Sequence, residues 1–398
     1  MTKLSAENLD SKNILIGVSG GISAYKIPLL VRALKKRGHQ VKAILTDCAK
    51  KLVGEDALRT LTGFPVYSDG SGDYDMNHIR LEEWADAFVL APATANSIAK
   101  MAHGIADNLL STTFLSLSCP IIVVPAMNTA MWNNAATQAN VKTLKERGII
   151  ILPVAVGELA CGTAGAGRMI EIDDIAEYAM LALQKTDLQG KLAQKTVCIA
   201  SGPTSEPIDA VRCITNSSSG KMGAALARAA VFAGARVVAV SGPASAKMPE
   251  EIELINVDTA SQMYAAMMKN LPQSDILIMV AAVSDFRVEN VENEKISREN
   301  NARYAINLVE NPDIAREIGE NKTDRQKLVV FSLETDGDIE RAVQKMKRKN
   351  ADLCVFNDAA NAVGKDASKI TIICKDGKRF EYGEQNKIIS AARILELL

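Results

Sequence analysis

The sequence has almost no net charge, few histidines and no paired-cysteine motif, and each shortage removes a class of function. Its 46 Lys plus Arg balance 47 Asp plus Glu, a formal net charge of −1. No basic excess exists to drive binding to nucleic acid or to an anionic membrane. The seven cysteines are scattered, with no C-x-x-C pair and no Cys/His ligand spacing. That argues against a disulfide framework or a structural zinc site and fits reduced thiols. No apolar run reaches the length of a membrane span, and the opening MTKLSAENLDSKN lacks the apolar core of a signal peptide. The Gly-x-Gly-x-x-Gly fingerprint of dinucleotide binding is missing too. These absences predict a cytoplasmic protein whose partners are small molecules and copies of itself, with no nucleic acid and no membrane.

What is present is alternation. At 398 residues, 47% hydrophobic and 23% charged, the chain is long enough for two or three domains with real cores. Apolar runs at Ile14–Val18, Val41–Leu45, Ala87–Ala91, Ile121–Pro125 and Ile149–Leu152 alternate with helical stretches such as Ala24–Arg37 and Asn134–Arg147. This predicts an α/β fold with a doubly wound parallel sheet. Gly38 and Gly148 follow basic helix ends, as C′ glycines do. A helix over Ile172–Gln184 leads into the polar stretch Lys185–Gln194, which places a domain boundary at 190/191. The second half repeats the pattern with strands at Thr196–Ala200, Arg236–Val240, Ile276–Ala281, Leu328–Leu333 and Asp352–Phe356. It ends in a hairpin signal, Lys369–Cys374 and Arg379–Tyr382 around Asp376-Gly377. The charged, Asn-rich segment Val288–Arg303 reads as a mobile loop or flap.

Two βα openings, Ile14–Lys26 and Val197–Gly223, run an apolar strand into a Gly/Ser turn and then a helix. Each leaves backbone amides and a helix N-terminus free to hold an anion. In the first half, Ser19-Gly20-Gly21, Pro92–Asn96 (with Thr94) and Pro125–Asn128 all follow strand ends, where open α/β sheets place ligands. With Thr46, they form a cradle for a phosphate and the polar edge of a ring. His78 is one of three histidines and suits proton transfer. His39 and His103, each beside a helix-ending glycine, read as exposed. Cys161 lies in Ala160–Met169, whose glycines predict a flexible, lid-like loop rather than a packed element. In the second half, Ser201–Thr204 and Asn216–Gly223 supply hydroxyls, an amide and Lys221 at a helix start, suited to a phosphorylated substrate. The spacing is not that of a P-loop.

In this order, VSGGISAYK, HI before a helix, APATAN, PAMN and ACGTAGAGRM resemble the flavin-dependent cysteine decarboxylases. The second half resembles the phosphopantothenate–cysteine ligases. The whole chain is thus similar to the bacterial bifunctional flavoproteins of coenzyme A biosynthesis. The resemblance implies a flavodoxin-like decarboxylase over 1–190 and a Rossmann-like ligase with a terminal hairpin over 191–398. It implies FMN at Ser19, Gly20, Gly21, Thr46, Pro92, Thr94 and Asn96, and a substrate thiol oxidised to a thioaldehyde that accepts the electrons left by CO2. His78 then corresponds to the histidine near the flavin, Asn128 to the residue that holds the substrate carboxylate, and Cys161 to the proton donor.

For the ligase, the resemblance implies 4′-phosphopantothenate, cysteine and CTP as substrates, joined through an acyl-cytidylate, with Mg2+ as a charge-neutralising clamp. Asn216 is implied in amide formation and Lys295 in cytidylate formation. The CTP contacts implied are Ala281, Asp285, Lys295, Pro312, Asp313, Ile314, Ala315, Phe331, Lys345 and Lys349. Ser217, Ser297-Arg298 and Val330 depart from the family pattern, at positions that bear on how strictly CTP is preferred. No carboxylate cage for a metal is visible. Family assembly implies a homo-oligomer, decarboxylase trimers combined with ligase dimers into a dodecamer. Two other readings stay open on the residues alone: an oxidoreductase with two Rossmann-like domains, and a non-enzymatic interaction protein like the phosphatase-inhibiting halotolerance proteins.

Overall fold

A computed structural model describes residues 11–69, 76–160, 162, 164–184, 187–297, 304–334, 338–358 and 367–398. The chain folds as two compact units, Leu9–Lys185 and Thr186–Leu398.

The first unit carries strands β1 (Asn13–Val18), β2 (Gln40–Leu45), β3 (Val66–Ser68), β4 (Ala87–Ala93), β5 (Ile121–Pro125) and β6 (Ile150–Ile151) in one parallel sheet of order β3-β2-β1-β4-β5-β6. Without the short edge strand β3 this is the flavodoxin order, which the sequence motifs imply. The central strands read as unbroken apolar runs because both of their faces are covered: Ile14, Leu15, Ile16, Phe88 and Val89 have no exposed surface. The helices are α1 (Ile27–Lys36), α2 (Asp47–Lys50), α3 (Glu55–Thr62), α4 (Asn77–Trp84), α5 (Ala95–His103), α6 (Leu109–Ser116), α7 (Thr129–Asn133), α8 (Ala135–Glu146) and α9 (Ile172–Leu183). In α1 the stripe Ile27, Leu30, Val31 and Leu34 faces the sheet. Burying each such side chain contributes roughly 1.5–3 kcal/mol. Pro28 is tolerated in its first turn, and Gly38, at φ +92°, ends it. A two-stranded ribbon, β7 (Ala155–Glu158) with β8 (Ala164–Arg168), stands apart from the sheet.

The structure departs from two sequence expectations. His39 is buried, 2% exposed, because its ring reaches the Met180 sulfur of α9 at 3.4 Å. His103 is exposed as expected. The Ala160–Met169 stretch is not a loose loop throughout, since 164–168 pair antiparallel with 155–158.

The second unit repeats the winding. Its strands are β9 (Thr196–Ser201), β10 (Ser205–Pro207), β11 (Cys213–Thr215), β12 (Arg236–Ser241), β13 (Glu253–Asn256), β14 (Ile276–Met279), β15 (Phe286–Val288), β16 (Leu308–Glu310), β17 (Lys327–Glu334), β18 (Leu353–Asp358), β19 (Ala367–Cys374) and β20 (Arg379–Asn386). The large sheet runs β13-β12-β9-β14-β17-β18-β19-β20, parallel through β18 and antiparallel across β19 and β20. The β19–β20 hairpin turns at Asp376-Gly377, with Gly377 at φ +87°. Helices α10 (Lys221–Phe232), α11 (Ala260–Asn270), α12 (Ile314–Asn321) and α13 (Ile339–Arg348) pack with the C-terminal helix Lys387–Glu396 around this sheet. Cys198, Val240, Met263, Leu277, Ile318 and Leu328 belong to one core cluster. Burial pushes the Cys198 thiol up to about 12, as an inert core residue. Two small ribbons, β10–β11 and β15–β16, lie outside the sheet.

Both sheets reverse strand order beside their first strand, between β1 and β4 and between β9 and β14. Open α/β sheets bind ligands in the crevice at such a reversal.

Candidate active sites

At the first reversal, Ser19 follows β1 and is 1% exposed. Its N–H donates to Pro92 O at 3.3 Å and its hydroxyl donates to the same oxygen at 2.7 Å. The hydroxyl also accepts from Thr94 N–H at 3.0 Å. Thus the turns after β1 and β4 are locked together. A Cβ on Gly20 would lie 2.3 Å from the Cβ of Cys48, and one on Gly21 3.3 Å from Pro92 Cγ. A side chain at position 20 would therefore collide with α2, and one at position 21 would press on Pro92. Thr46 caps α2 by accepting from Ala49 N–H at 3.3 Å, and its own N–H donates to Val18 O at 3.1 Å. Ser19, Gly20, Gly21, Thr46, Pro92 and Thr94 converge on one place. Thr94 also caps α5, whose first turn contains the exposed Asn96. The free amides and dipole at that helix start favour an anion. His78 lies half-buried in the first turn of α4. Among the described residues no hydrogen bond reaches its imidazole; only its carbonyl is engaged, by the Ser116 hydroxyl at 3.3 Å.

Asn128 follows β5 and caps α7, its Oδ1 accepting from Ala130 N–H at 2.8 Å. The loop before it is tied to β4 through Ala126 N–H and Ala93 O at 3.0 Å. On the other side β8 is pinned against it: Met127 N–H donates to Gly167 O at 2.9 Å. A Cβ on Gly167 would fall 2.3 Å from Met127 O, and one on Gly165 2.4 Å from Thr129 Oγ1. The glycines that suggest flexibility in the sequence are needed here for close approach. Thr129 Oγ1 is buried with no hydrogen-bond partner among the described residues. Cys161, which falls between β7 and β8 in sequence, lies outside the described residues.

At the second reversal, Ala282 N–H donates to Gly202 O at 2.9 Å and Thr204 N–H to Ala282 O at 3.3 Å. Ser284 N–H donates to Thr204 Oγ1 at 2.9 Å, and Thr215 Oγ1 to Thr204 O at 2.8 Å. Asn216, exposed, closes the group by donating from Nδ2 to Ala282 O at 3.0 Å. The Ala281–Asp285 turn, Thr204 and Asn216 are thus one assembly. Gly223, near the start of α10, packs so closely that a Cβ there would lie 1.9 Å from Ser201 Oγ. That hydroxyl is buried and unpartnered among the described residues.

Asp285 O accepts from Asn311 N–H at 2.8 Å, and Asn311 Nδ2 donates to Ser284 O at 2.9 Å. This brings Pro312 and the start of α12 beside the turn. Asp313 caps α12 and pairs with Lys349 Nζ at 2.7 Å. Burial pushes the Asp313 carboxyl up, but the Lys349 hydrogen bond and charge outweigh it and hold the carboxyl below its ordinary value. Ile314 and Ala315 are buried in the core, so the groups they can offer a ligand are backbone amides. Phe331 is half-buried on β17, and Lys345 stands one turn before Lys349 at the end of α13.

Lys295 is exposed on the segment that follows β15. That segment is held by residues the sequence reading passed over. Ile296 N–H donates to Asp209 Oδ2 at 3.2 Å, and Arg212 Nη2 donates to Ile296 O at 3.0 Å. The one signal for them was Asp-x-x-Arg spacing at a turn. Among the described residues no group of three His, Cys, Asp or Glu side chains comes together to hold a metal. No helix in them is long and apolar enough to cross a membrane.

A family model described as flavoprotein matches residues 2–183, and one described as the DNA/pantothenate metabolism flavoprotein C-terminal domain matches 192–398. The coenzyme A biosynthesis bifunctional protein CoaBC of Vibrio vulnificus (strain YJ016) is 42% identical over 359 residues, 89% of this chain and 88% of that protein. Its namesake in Escherichia coli (strain K12) is 38% identical over 399 residues and 98% of both chains. That of Bacillus subtilis (strain 168) is 39% identical over 396 residues, 98% of this chain and 97% of its own. A solved structure of the C-terminal domain of a CoaBC protein covers 52% of this chain and 96% of its own, at 35% identity and a TM-score of 0.46. With both of its halves matched in order and relatives aligned end to end, the chain belongs to the family of coenzyme A biosynthesis bifunctional proteins.

Proposed function

We propose that 191–398 ligates cysteine to 4′-phosphopantothenate at the expense of CTP, and that 1–190 decarboxylates the product. The observation that carries this reading is the pair of turn assemblies, Ser19 with Pro92 and Thr94, and Asn216 with Ala282, each at its sheet's reversal point.

In the first unit the glycine cradle and the α5 N-terminus fit the phosphate of FMN, with Ser19, Gly20, Gly21, Thr46, Pro92, Thr94 and Asn96 around it. When bound, the flavin supplies a two-electron acceptor for the substrate thiol. Asn128, held by the α7 cap and by β8, orients the substrate carboxylate through its amide. His78 handles a proton near the ring, and Cys161 returns a proton to carbon after CO2 leaves.

In the second unit an amine cannot displace oxide from a carboxylate, so the carboxylate is first activated. Its oxygen attacks the α-phosphorus of CTP, pyrophosphate leaves, and the cysteine amine then displaces CMP. Ala281, Asp285, Pro312, Asp313, Ile314, Ala315, Phe331, Lys345 and Lys349 surround the nucleotide, and Lys295 stabilises the charge that develops. Lys349 is already paired with Asp313, so a triphosphate there competes with that carboxylate. With no acidic cluster found among the described residues, Mg2+ is read as arriving on the nucleotide, and no step is assigned to it. Asn216 serves the amide-forming step. The reading extends to a cytoplasmic homo-dodecamer; the exposed apolar side chains of Ile22, Tyr25 and Leu29 favour self-association of the first unit.

Two variants of the full chain test the division of labour. Asn128→Ala is expected to abolish CO2 release while leaving pyrophosphate formation intact, and Asn216→Ala to block the coupled amide synthesis while supplied phosphopantothenoylcysteine is still decarboxylated. Loss of both activities in either variant, in a folded protein, contradicts it.

A further inference from the structure

The segment bearing Lys295 is stitched to one turn, Ile208–Arg212, on both sides of the lysine. Glu292 N–H donates to Ile208 O at 3.1 Å, and four residues later the Ile296 backbone is held at both its N–H and its carbonyl. Its N–H donates to Asp209 Oδ2 at 3.2 Å, and its carbonyl accepts from Arg212 Nη2 at 3.0 Å. Asp209 is 4% exposed and divides its two oxygens between two jobs. Oδ1 closes its own turn, accepting from Val211 N–H at 2.8 Å and Arg212 N–H at 2.7 Å. Oδ2 faces the distant segment, with Arg212 Nη1 3.4 Å away. Closing a local Asx turn needs one acceptor oxygen, which an asparagine also has. The second oxygen, buried and charged, holds a segment 87 residues away in sequence. Burial opposes that charge, but the three backbone N–H groups and Arg212 hold the carboxyl below its ordinary value.

We propose that Asp209 is the positioning residue for Lys295: through Ile296 it fixes the backbone from which the lysine reaches the reacting phosphate. The inference rests on the role given to Lys295 above. A lysine on an unanchored segment spreads its ammonium over many positions, and a displacement of an ångström at a charged transition state costs on the order of 10²-fold in rate. The asparagine variant isolates the effect. Asp209→Asn keeps one carbonyl oxygen for Val211 and Arg212, but sets an NH2 against the Ile296 N–H, donor against donor.

The test uses the full chain and follows pyrophosphate release from CTP and 4′-phosphopantothenate. Asp209→Asn is expected to lower kcat about 10²-fold with the KM for CTP little changed. Amide hydrogen exchange should speed up in the peptide covering 289–297 and stay unchanged over 204–215. Decarboxylation of supplied phosphopantothenoylcysteine by the other unit should remain at the wild-type rate. Lys295→Ala, run in parallel, separates the two ideas. If it releases pyrophosphate normally, the role of Lys295 is wrong. If it is inactive while Asp209→Asn matches wild type in rate or in exchange, the inference about Asp209 is overturned. Should Asp209→Asn unfold its unit, Ile296→Pro removes the donor instead. The same loss is then expected, and a wild-type rate overturns the proposal.

Discussion

Replacing Gly167 with alanine strikes the decarboxylase through the hairpin rather than through any reacting group. Gly167 sits at φ +139°, a region that side chains avoid, at a cost of about 1–3 kcal/mol. Its new Cβ would also stand 2.3 Å from Met127 O, a backbone atom that cannot rotate away. Overpacking of this kind costs about 1–3 kcal/mol more. Against a total folding stability of roughly 5–15 kcal/mol, the cheaper escape is local. The β7–β8 hairpin lifts off and breaks the Met127 N–H to Gly167 O bond. Asn128 then loses its backing, and CO2 release from supplied phosphopantothenoylcysteine falls about 10²-fold or more. Pyrophosphate formation by the other unit stays at wild-type rate, which shows that the chain is folded. Gly165→Ala provides the contrast, because its clash is with the Thr129 side chain, whose Oγ1 and Cγ2 lie 2.4 and 3.0 Å from the new Cβ. Thr129→Ala removes both atoms, so the double variant should recover most of the lost rate. Wild-type decarboxylation by Gly167→Ala, or no rescue of Gly165→Ala, refutes the reasoning.

Two further outcomes follow from buried polar groups. Burial first, and then the Arg37 charge, lower the pKa of His39, so the folded chain prefers the neutral ring. The unfolded chain takes up the proton near pH ~6.5, so the contribution is complete above that pH and declines as pH falls toward the folded value. The melting temperature should therefore drop from pH 7 to pH 5, and His39→Gln should flatten the drop; an equal slope in the variant contradicts this. Ser201 Oγ is buried without a partner among the described residues, a state that costs about 1–3 kcal/mol, so Ser201→Ala should raise the melting temperature of the ligand-free chain. A lower melting temperature shows that the hydroxyl is satisfied.

The central strands were legible because burial on both faces forces unbroken apolar runs, as in Ile14–Val18 and Thr196–Ala200. Short edge strands were not: Val66–Ser68 and Glu253–Asn256 are polar or half-exposed and carry no such run. Glycine misled in one place. Gly165 and Gly167 have the composition of a flexible loop, yet they serve contact with Thr129 and Met127, which only tertiary structure reveals. His39 misled for a related reason, since the methionine that covers it lies 141 residues away. Strand-end loops are easy to find in sequence, and Ser19, Pro92, Thr94 and Asn216 stand where such loops converge. Asp209 and Arg212 escaped notice because side-chain bonds to a distant backbone leave no periodicity behind.

The proposed function joins two chemistries in one chain, and one labelling measurement reaches both. The purified protein, yellow with bound flavin, is incubated with 4′-phosphopantothenate, CTP, Mg2+ and cysteine carrying 13C in its carboxyl group. Labelled CO2 and pyrophosphate are expected in equal amounts, both dependent on CTP. Labelled CO2 without CTP, or neither product at all, contradicts the account.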